Sequence, residues 1–156
     1  MSNIIPMGSQ SADTIGEVRN YAREMEDFFL YVRKHAVEAQ GRVHRAKTIE
    51  KVVYAYARYL EHYHSNAISP FLANYALPPE QALSKRHADA IEAIRAAVAA
   101  LENEIRQKLP WLHLPNLNRT RWGMEATLFR IIKATDAGLE NCLVLKGLEP
   151  DERISA

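Results

Sequence analysis

Glu61 and His64 are the only pair in this 156-residue sequence with the spacing of a bundle metal-ligand motif. A glutamate and a histidine three residues apart share one face of a helix. Helical bundles use two such pairs, with two further glutamates, to hold two iron ions. The sequence has no second Glu-x-x-His. We therefore expect the histidines to be solvated on helix faces, and we predict neither a metal nor another cofactor.

The nucleophilic side chains match no catalytic motif. Cys142, the single cysteine, falls on the apolar face of a predicted helix, so we expect a buried and inert thiol. The serines have neither a nucleophile elbow nor a paired base, and the chain has no glycine-rich phosphate loop. We therefore predict that the protein is not an enzyme. This prediction rests on motifs alone, because the groups of an active site can come from distant parts of a chain.

Basic residues are concentrated in two stretches of a chain whose net charge is only +1. Residues 33–51 contain six basic and two acidic residues, and residues 104–125 contain four and two, for net charges of +4 and +2. If the helices of a bundle alternate in direction, both stretches lie at one end, where they would bind phosphate or an acidic partner. The predicted anion- or nucleic-acid-binding residues are Arg42, His44, Arg45, Lys47, Arg119 and Arg121. The alternative is a solvated end whose basic residues complement helix C-termini.

Aromatic residues are frequent in the first half of the chain. Tyr54, Tyr59 and Phe28 lie beside the apolar rows of their predicted helices rather than on them. Tyrosine is common at protein interfaces, so we predict these three as interface residues, either for a second copy of the chain or for another protein. The alternative is that aromatic flanks widen the core of a four-helix bundle.

The spacing of apolar residues predicts long helices. From Ile15 to Ala39 these residues recur at alternating steps of three and four, the heptad pattern of coiled coils. The pattern continues from residue 43 to residue 67 with one short step. Two readings stay open: a hairpin that turns near Gly41, or one helix over residues 14–68. Such a rod would be roughly 80 Å long and would need a second copy to cover both sides, which also suggests a dimer.

Capping residues and prolines predict where the first helices begin and end. The capping box Thr14-x-x-Glu17 would start the first helix, after a flexible tail at 1–12. Two prolines after Leu77 break the chain before an alanine-rich helix, which ends at Pro110.

The last predicted helix follows a link over 110–119. Thr120 would cap this helix, and it would end near Gly147. No segment shows the alternation of a strand. We therefore predict an all-α fold, an antiparallel (up-and-down) helical bundle of about four long helices over 13–148, with a short tail at 149–156. One central core residue is expected from each helix: Phe29, Val53, Ile94 and Leu128.

Composition bears on location and on partners. The apolar and charged fractions, 47% and 25%, are those of a globular domain. No apolar run approaches the roughly 18 residues of a membrane span, and the first residues lack a secretory signal pattern, so we predict a cytoplasmic protein without membrane contact.

We predict a small non-catalytic interaction or regulatory protein that self-associates. The alternatives are a nucleic-acid-associated protein that uses the basic stretches and, third, a metal- or ligand-binding bundle.

Overall fold

The structure, a computed structural model, describes residues 7–65, 84–106 and 116–147. These residues form four helices: α1 (Met7–Arg45), α2 (Ile49–Ser65), α3 (Lys85–Arg106) and α4 (Leu117–Lys146). No strand occurs in the described part of the chain. The helices pack on one another, so the predicted all-α bundle is confirmed.

Helix α4 is central, because it packs against each of the other three helices. Three side-chain bridges show that α1 and α4 are antiparallel, since residue numbers fall along α4 as they rise along α1. In order, these bridges are Glu26–Lys146 at 3.0 Å, Arg33–Asp136 at 2.8 Å and His44–Glu125 at 3.1 Å. The last two bridges also set the register, because they join residues eleven positions apart on each helix.

Helices α2 and α3 complete the bundle. Near the end of α3, Glu104 accepts a hydrogen bond from Arg130 at 2.8 Å, whereas the first turns of α3 lie beside Asn141 and Val144. Helix α3 is therefore antiparallel to α4. Helix α2 folds back on α1 and also contacts α4. The four helices thus alternate in direction, and the end of α1 lies beside the start of α4.

The turn between the first two helices lies at residues 46–48 rather than at Gly41. The chain therefore forms a hairpin and not a single rod, but its turn is several residues later than predicted. Gly41 is inside α1, where a Cβ would meet only the flexible end of the Arg45 side chain. Thr48 starts α2, because its hydroxyl accepts the backbone N–H of Lys51 at 3.2 Å.

This turn shifts the apolar register of α2. A pattern continued from α1 placed Val53 in the core, but Val53 is 37% exposed and its neighbour Val52 is fully buried. Three non-helical residues rotate the second helix relative to the first, so an unbroken heptad count fails after the turn. The prediction for Val53 is therefore wrong, whereas Phe29, Ile94 and Leu128 are fully buried as predicted.

Helix α1 begins at Met7, before the predicted capping box. Thr14 therefore lies inside the helix, and residues 7–12 are helical rather than part of the predicted tail. Three other predictions lie outside the described residues: the proline break after Leu77, the link from 110 to 115 and the tail at 149–156.

Asn116 caps α4, because its side chain accepts the backbone N–H of Arg119 at 3.1 Å. Thr120, the predicted cap, is buried in the first turn instead. Its hydroxyl donates to the Asn116 carbonyl at 3.0 Å. The predicted end of the helix is confirmed, since the Gly147 N–H donates to the Leu143 carbonyl at 3.1 Å.

Phe29 and Gly138 form a close contact between α1 and α4. The Phe29 ring is fully buried and lies so near the Gly138 backbone that an added Cβ would overlap it. The missing side chain allows a large ring to fill the space between the two helices at native packing density.

We expect Gly138→Ala to lower the free energy of unfolding by about 1–3 kcal/mol, because the added methyl group must displace a buried ring. Gly16→Ala is the matched control. Apart from its chain neighbours and the backbone of its own helix, no described atom lies within 4 Å of a Cβ at that position, so alanine should raise the free energy by up to about 1 kcal/mol through its helix propensity. Urea unfolding measures both changes, and equal effects at the two sites would contradict this packing.

Candidate functional site

Two contacts join the end of α1 to the start of α4. The Arg121 guanidinium donates to the Ala46 carbonyl in the turn after α1, and His44 Nδ1 lies 3.1 Å from Glu125 Oε1. Arg121 thereby provides a donor at a helix C-terminus, where carbonyl groups lack partners within the helix. The two basic stretches therefore lie side by side where the structure describes them, at the end of α1 and the start of α4.

The predicted anion-binding residues divide into two groups. His44 and Arg121 take part in the two contacts between α1 and α4, and Arg121 is half-buried. The remaining four are exposed and form no ion pair with any residue that the structure describes: Arg42, Arg45, Lys47 and Arg119. We call these four residues, together with Arg121 and Trp122, the basic end.

Helix direction adds little net charge at the basic end. Helices α2 and α4 begin there, behind their caps Thr48 and Asn116, and α1 and α3 end there. The partial positive charges of two helix N-termini and the partial negative charges of two C-termini therefore largely cancel. The last turn of α1 carries basic side chains. The field of this surface therefore favours anions through its side chains.

Trp122 is 78% exposed, the largest value among the big apolar side chains of the described chain. It lines a shallow depression of about 300 Å³ with Asn118, Arg119, Arg121 and Glu125. Glu125 is the one acidic residue of this lining, and it faces the His44 ring. An exposed aromatic ring beside two arginines can stack on a planar base while the arginines bind a neighbouring phosphate.

The three predicted interface residues lie in different surroundings. Phe28 and Tyr59 are buried, and Tyr59 stacks on Tyr56 with ring centroids 6.1 Å apart. The structure therefore corrects the prediction for these two residues, which widen the core. For Tyr59 the cause is the turn at 46–48, which rotates this side of α2 inward. Tyr54 is exposed, and its role at an interface stays a prediction.

A second exposed surface is not evident from the sequence. Leu30 and Val37 on α1 are 49% and 42% exposed, and Phe129 and Leu143 on α4 are 52% and 62% exposed. Residues separated by multiples of seven lie in one line along a helix, so each pair belongs to one row. Heptad spacing was the available signal, but only the folded chain shows the two rows side by side. We call these four residues the α1–α4 face.

Within the described ranges, no three His, Cys, Asp or Glu side chains are placed to hold a metal ion. The side chain of His64 lies outside the described residues. His87 is buried at the start of α3, where its Nδ1 lies 2.7 Å from Ser84 Oγ. This contact belongs to the helix start, since Ser84 Oγ also accepts the His87 backbone N–H at 3.4 Å.

No family model, no curated protein and no solved structure matches this chain. None of the helices within the described residues has both the length and the apolar character required to cross a bilayer.

The thiol of Cys142 is fully buried. Its pKa is raised to about 12, chiefly by burial and also by the charge of Glu26, while Lys146 opposes the increase. The thiol is therefore protonated at neutral pH, the form in which cysteine is a poor nucleophile.

We expect the free energy of unfolding to fall between about pH 9 and pH 12. The folded pKa of the Cys142 thiol lies above its ordinary value of 9.0, so this group stabilises the fold below pH 9 and loses that effect as the pH rises. The loss is at most about 1.4 kcal/mol per pH unit. Cys142→Ala should decline less steeply. The pKa of Tyr56 is raised to about 12 by burial and by the charge of Glu104. Tyr56 therefore titrates in the same range in both proteins. Equal declines would contradict this role of the thiol.

Proposed function

We propose that this chain is a non-catalytic interaction protein that binds an anionic partner at its basic end, and that the partner is a single-stranded nucleic acid. The observation that carries the proposal is the group of four exposed cations without ion-pair partners among the described residues, at the end of the bundle that also carries an exposed tryptophan. A regulatory role and a cytoplasmic location are part of the same proposal.

The charges of the basic end favour a polyanion. Like charges held close together repel one another, and an anionic partner removes that repulsion. Some cations elsewhere are paired across helices, as Arg33 is with Asp136 and Arg130 with Glu104. At the basic end Glu125 is the one carboxylate of the lining, and it contacts His44 rather than forming an ion pair with either neighbouring arginine.

Trp122 favours a nucleic acid strand over an acidic peptide. A peptide carboxylate would need the cations but not the ring, whereas an unpaired base can stack on the ring. Base–aromatic stacking contributes about 1–3 kcal/mol per base. A single strand also suits a small surface at the end of a bundle, because it needs no helix inserted into a groove.

We expect the chain to bind a fluorescent oligonucleotide of about twelve nucleotides with an affinity that falls as salt rises. Each phosphate contact should contribute about −0.7 to the slope of log affinity against log salt, so four contacts give about −3. Arg42→Glu/Arg45→Glu should weaken binding at least about tenfold. The matched control, Lys85→Glu/Arg86→Glu, makes the same charge change at the other end of the bundle and should leave affinity within about twofold.

Two results would contradict the proposal: no binding at about 20 mM salt, or equal losses in the two double variants. If the parent protein instead binds polyglutamate with the same dependence on Arg42 and Arg45, the partner is an acidic protein and the nucleic acid proposal is wrong.

Trp122→Ala should weaken oligonucleotide binding by about 1–3 kcal/mol with little change in the salt slope, because stacking involves no counterion release. Trp122→Phe should retain part of the affinity, since a smaller ring still stacks. Fluorescence anisotropy measures both variants. An unchanged affinity for Trp122→Ala would remove the tryptophan from the site.

A further inference from the structure

The α1–α4 face lies on two heptad rows that run side by side. On α1 the row is Leu30, Val37 and His44, and on α4 it is Trp122, Phe129, Asp136 and Leu143. The Arg33–Asp136 and His44–Glu125 bridges cross from one helix to the other at these rows. The exposed apolar side chains therefore form one strip along the seam between α1 and α4.

The apolar residues are spaced symmetrically along this strip. Asp136 lies midway between Phe129 and Leu143, and the midpoint between Leu30 and Val37 lies beside Arg33. Arg33 Nε donates a hydrogen bond to Asp136 Oδ1 at 2.8 Å. The midpoint of the α1 pair and the midpoint of the α4 pair therefore lie at the same height along the bundle. The strip is thus symmetric about one ion pair.

We propose that the α1–α4 face binds the same face of a second copy of the chain, antiparallel, about a two-fold axis that passes over the Arg33–Asp136 ion pair. A two-fold interface requires one surface to be complementary to itself. In this arrangement α1 lies over α1 and α4 over α4. Leu30 then lies opposite Val37 of the second copy, and Phe129 lies opposite Leu143 of the second copy.

Charges on α4 fit the same axis. Lys133 and Glu140 are exposed on the same side of α4 and lie almost equally far from Asp136 in opposite directions. The axis therefore brings Lys133 of each copy opposite Glu140 of the other. Lys133 already lies over the Phe129 ring, with its Nζ 5.4 Å from the ring centroid, so it borders the apolar strip.

The area of the face predicts a weak dimer. Between Glu26 and His44 the two helices run together for about 27 Å, and two adjacent helices are about 20 Å wide. The contact would cover about 540 Å² on each copy, or about 1,100 Å² in total, near the lower limit for a specific interface. Near the axis, Lys34 of one copy lies close to Lys34 of the other. Repulsion between these two positive charges further limits the affinity. We expect a dissociation constant in the micromolar range.

Sedimentation velocity between about 1 and about 200 µM tests the proposal. The parent protein should change from monomer to dimer across this range, and Val37→Glu should remain a monomer. Val53→Glu is the matched control: the residue type is the same and its exposure is similar, but it lies on α2, away from the face. It should dimerise as the parent does. A monomeric parent at the highest concentration, or equal behaviour of the two variants, would overturn the proposal.

A charge exchange tests the orientation. Lys133→Glu alone places like charges opposite each other and should raise the dissociation constant several-fold, as should Glu140→Lys. The double variant restores opposite charges and should return to within about twofold of the parent. If the double variant is weaker than both single variants, this antiparallel register is wrong.

Crosslinking tests the position of the axis. Lys34→Cys should form dimers with a short bismaleimide, because residue 34 lies near its own copy, whereas Val53→Cys should not. Cys142 is buried and should give no background in the folded protein. Equal crosslinking of the two variants would place the contact elsewhere.

Discussion

The contact between Phe29 and Gly138 brings α1 and α4 close together, and both exposed surfaces are built on this pair of helices. The Phe29 ring packs against the backbone of Gly138, which has no side chain. The two helices therefore approach closely enough for other side chains to bridge them. A larger residue in place of Gly138 would separate the helices, and the effect would extend to both surfaces. At one end the Arg121–Ala46 contact joins the basic stretches, and along the side the heptad rows become neighbours.

The sequence predicted the core of α1 and α4 well because a heptad pattern marks the buried side of an uninterrupted helix. Phe29 and Leu128 are central in such patterns, and both are fully buried. The same count failed for Val53, because the pattern across the turn looks continuous even though the helix is not. Thr48 was the missed signal: a capping residue there marks the start of a new helix, so the count from α1 should not have been continued to Val53.

The candidate sites could be predicted only in part. Sequence showed the excess of basic residues, and alternating helix directions were enough to expect 33–51 and 104–125 at one end. It could not show which cations remain unpaired, since His44 and Glu125 are distant in the chain and meet only after folding. The interface prediction failed for Phe28 and Tyr59 for a related reason. A residue beside an apolar row becomes core or surface according to which helices pack around it.

The two surfaces are compatible with each other. The axis lies near Asp136, and Trp122 of the basic end lies fourteen residues away along α4, so an antiparallel dimer carries a basic end at each extremity, about 40 Å apart. A strand that reaches both ends would bind the second one within the same complex, which raises the effective concentration without any new contact. Self-association and strand binding would then favour each other, although each relies on different residues.

Arg121 belongs to the fold as well as to the basic end. Its guanidinium donates a hydrogen bond to the Ala46 carbonyl, and the same side chain lines the depression beside Trp122. A guanidinium has several donors in a fixed plane, so one edge can bond the backbone while another faces a ligand. Replacing Arg121 would disturb the junction of α1 and α4 together with any bound anion, and loss of binding would have two causes. Arg42 and Arg45 form no such contact to α4, so losses there report on the charge of the surface itself.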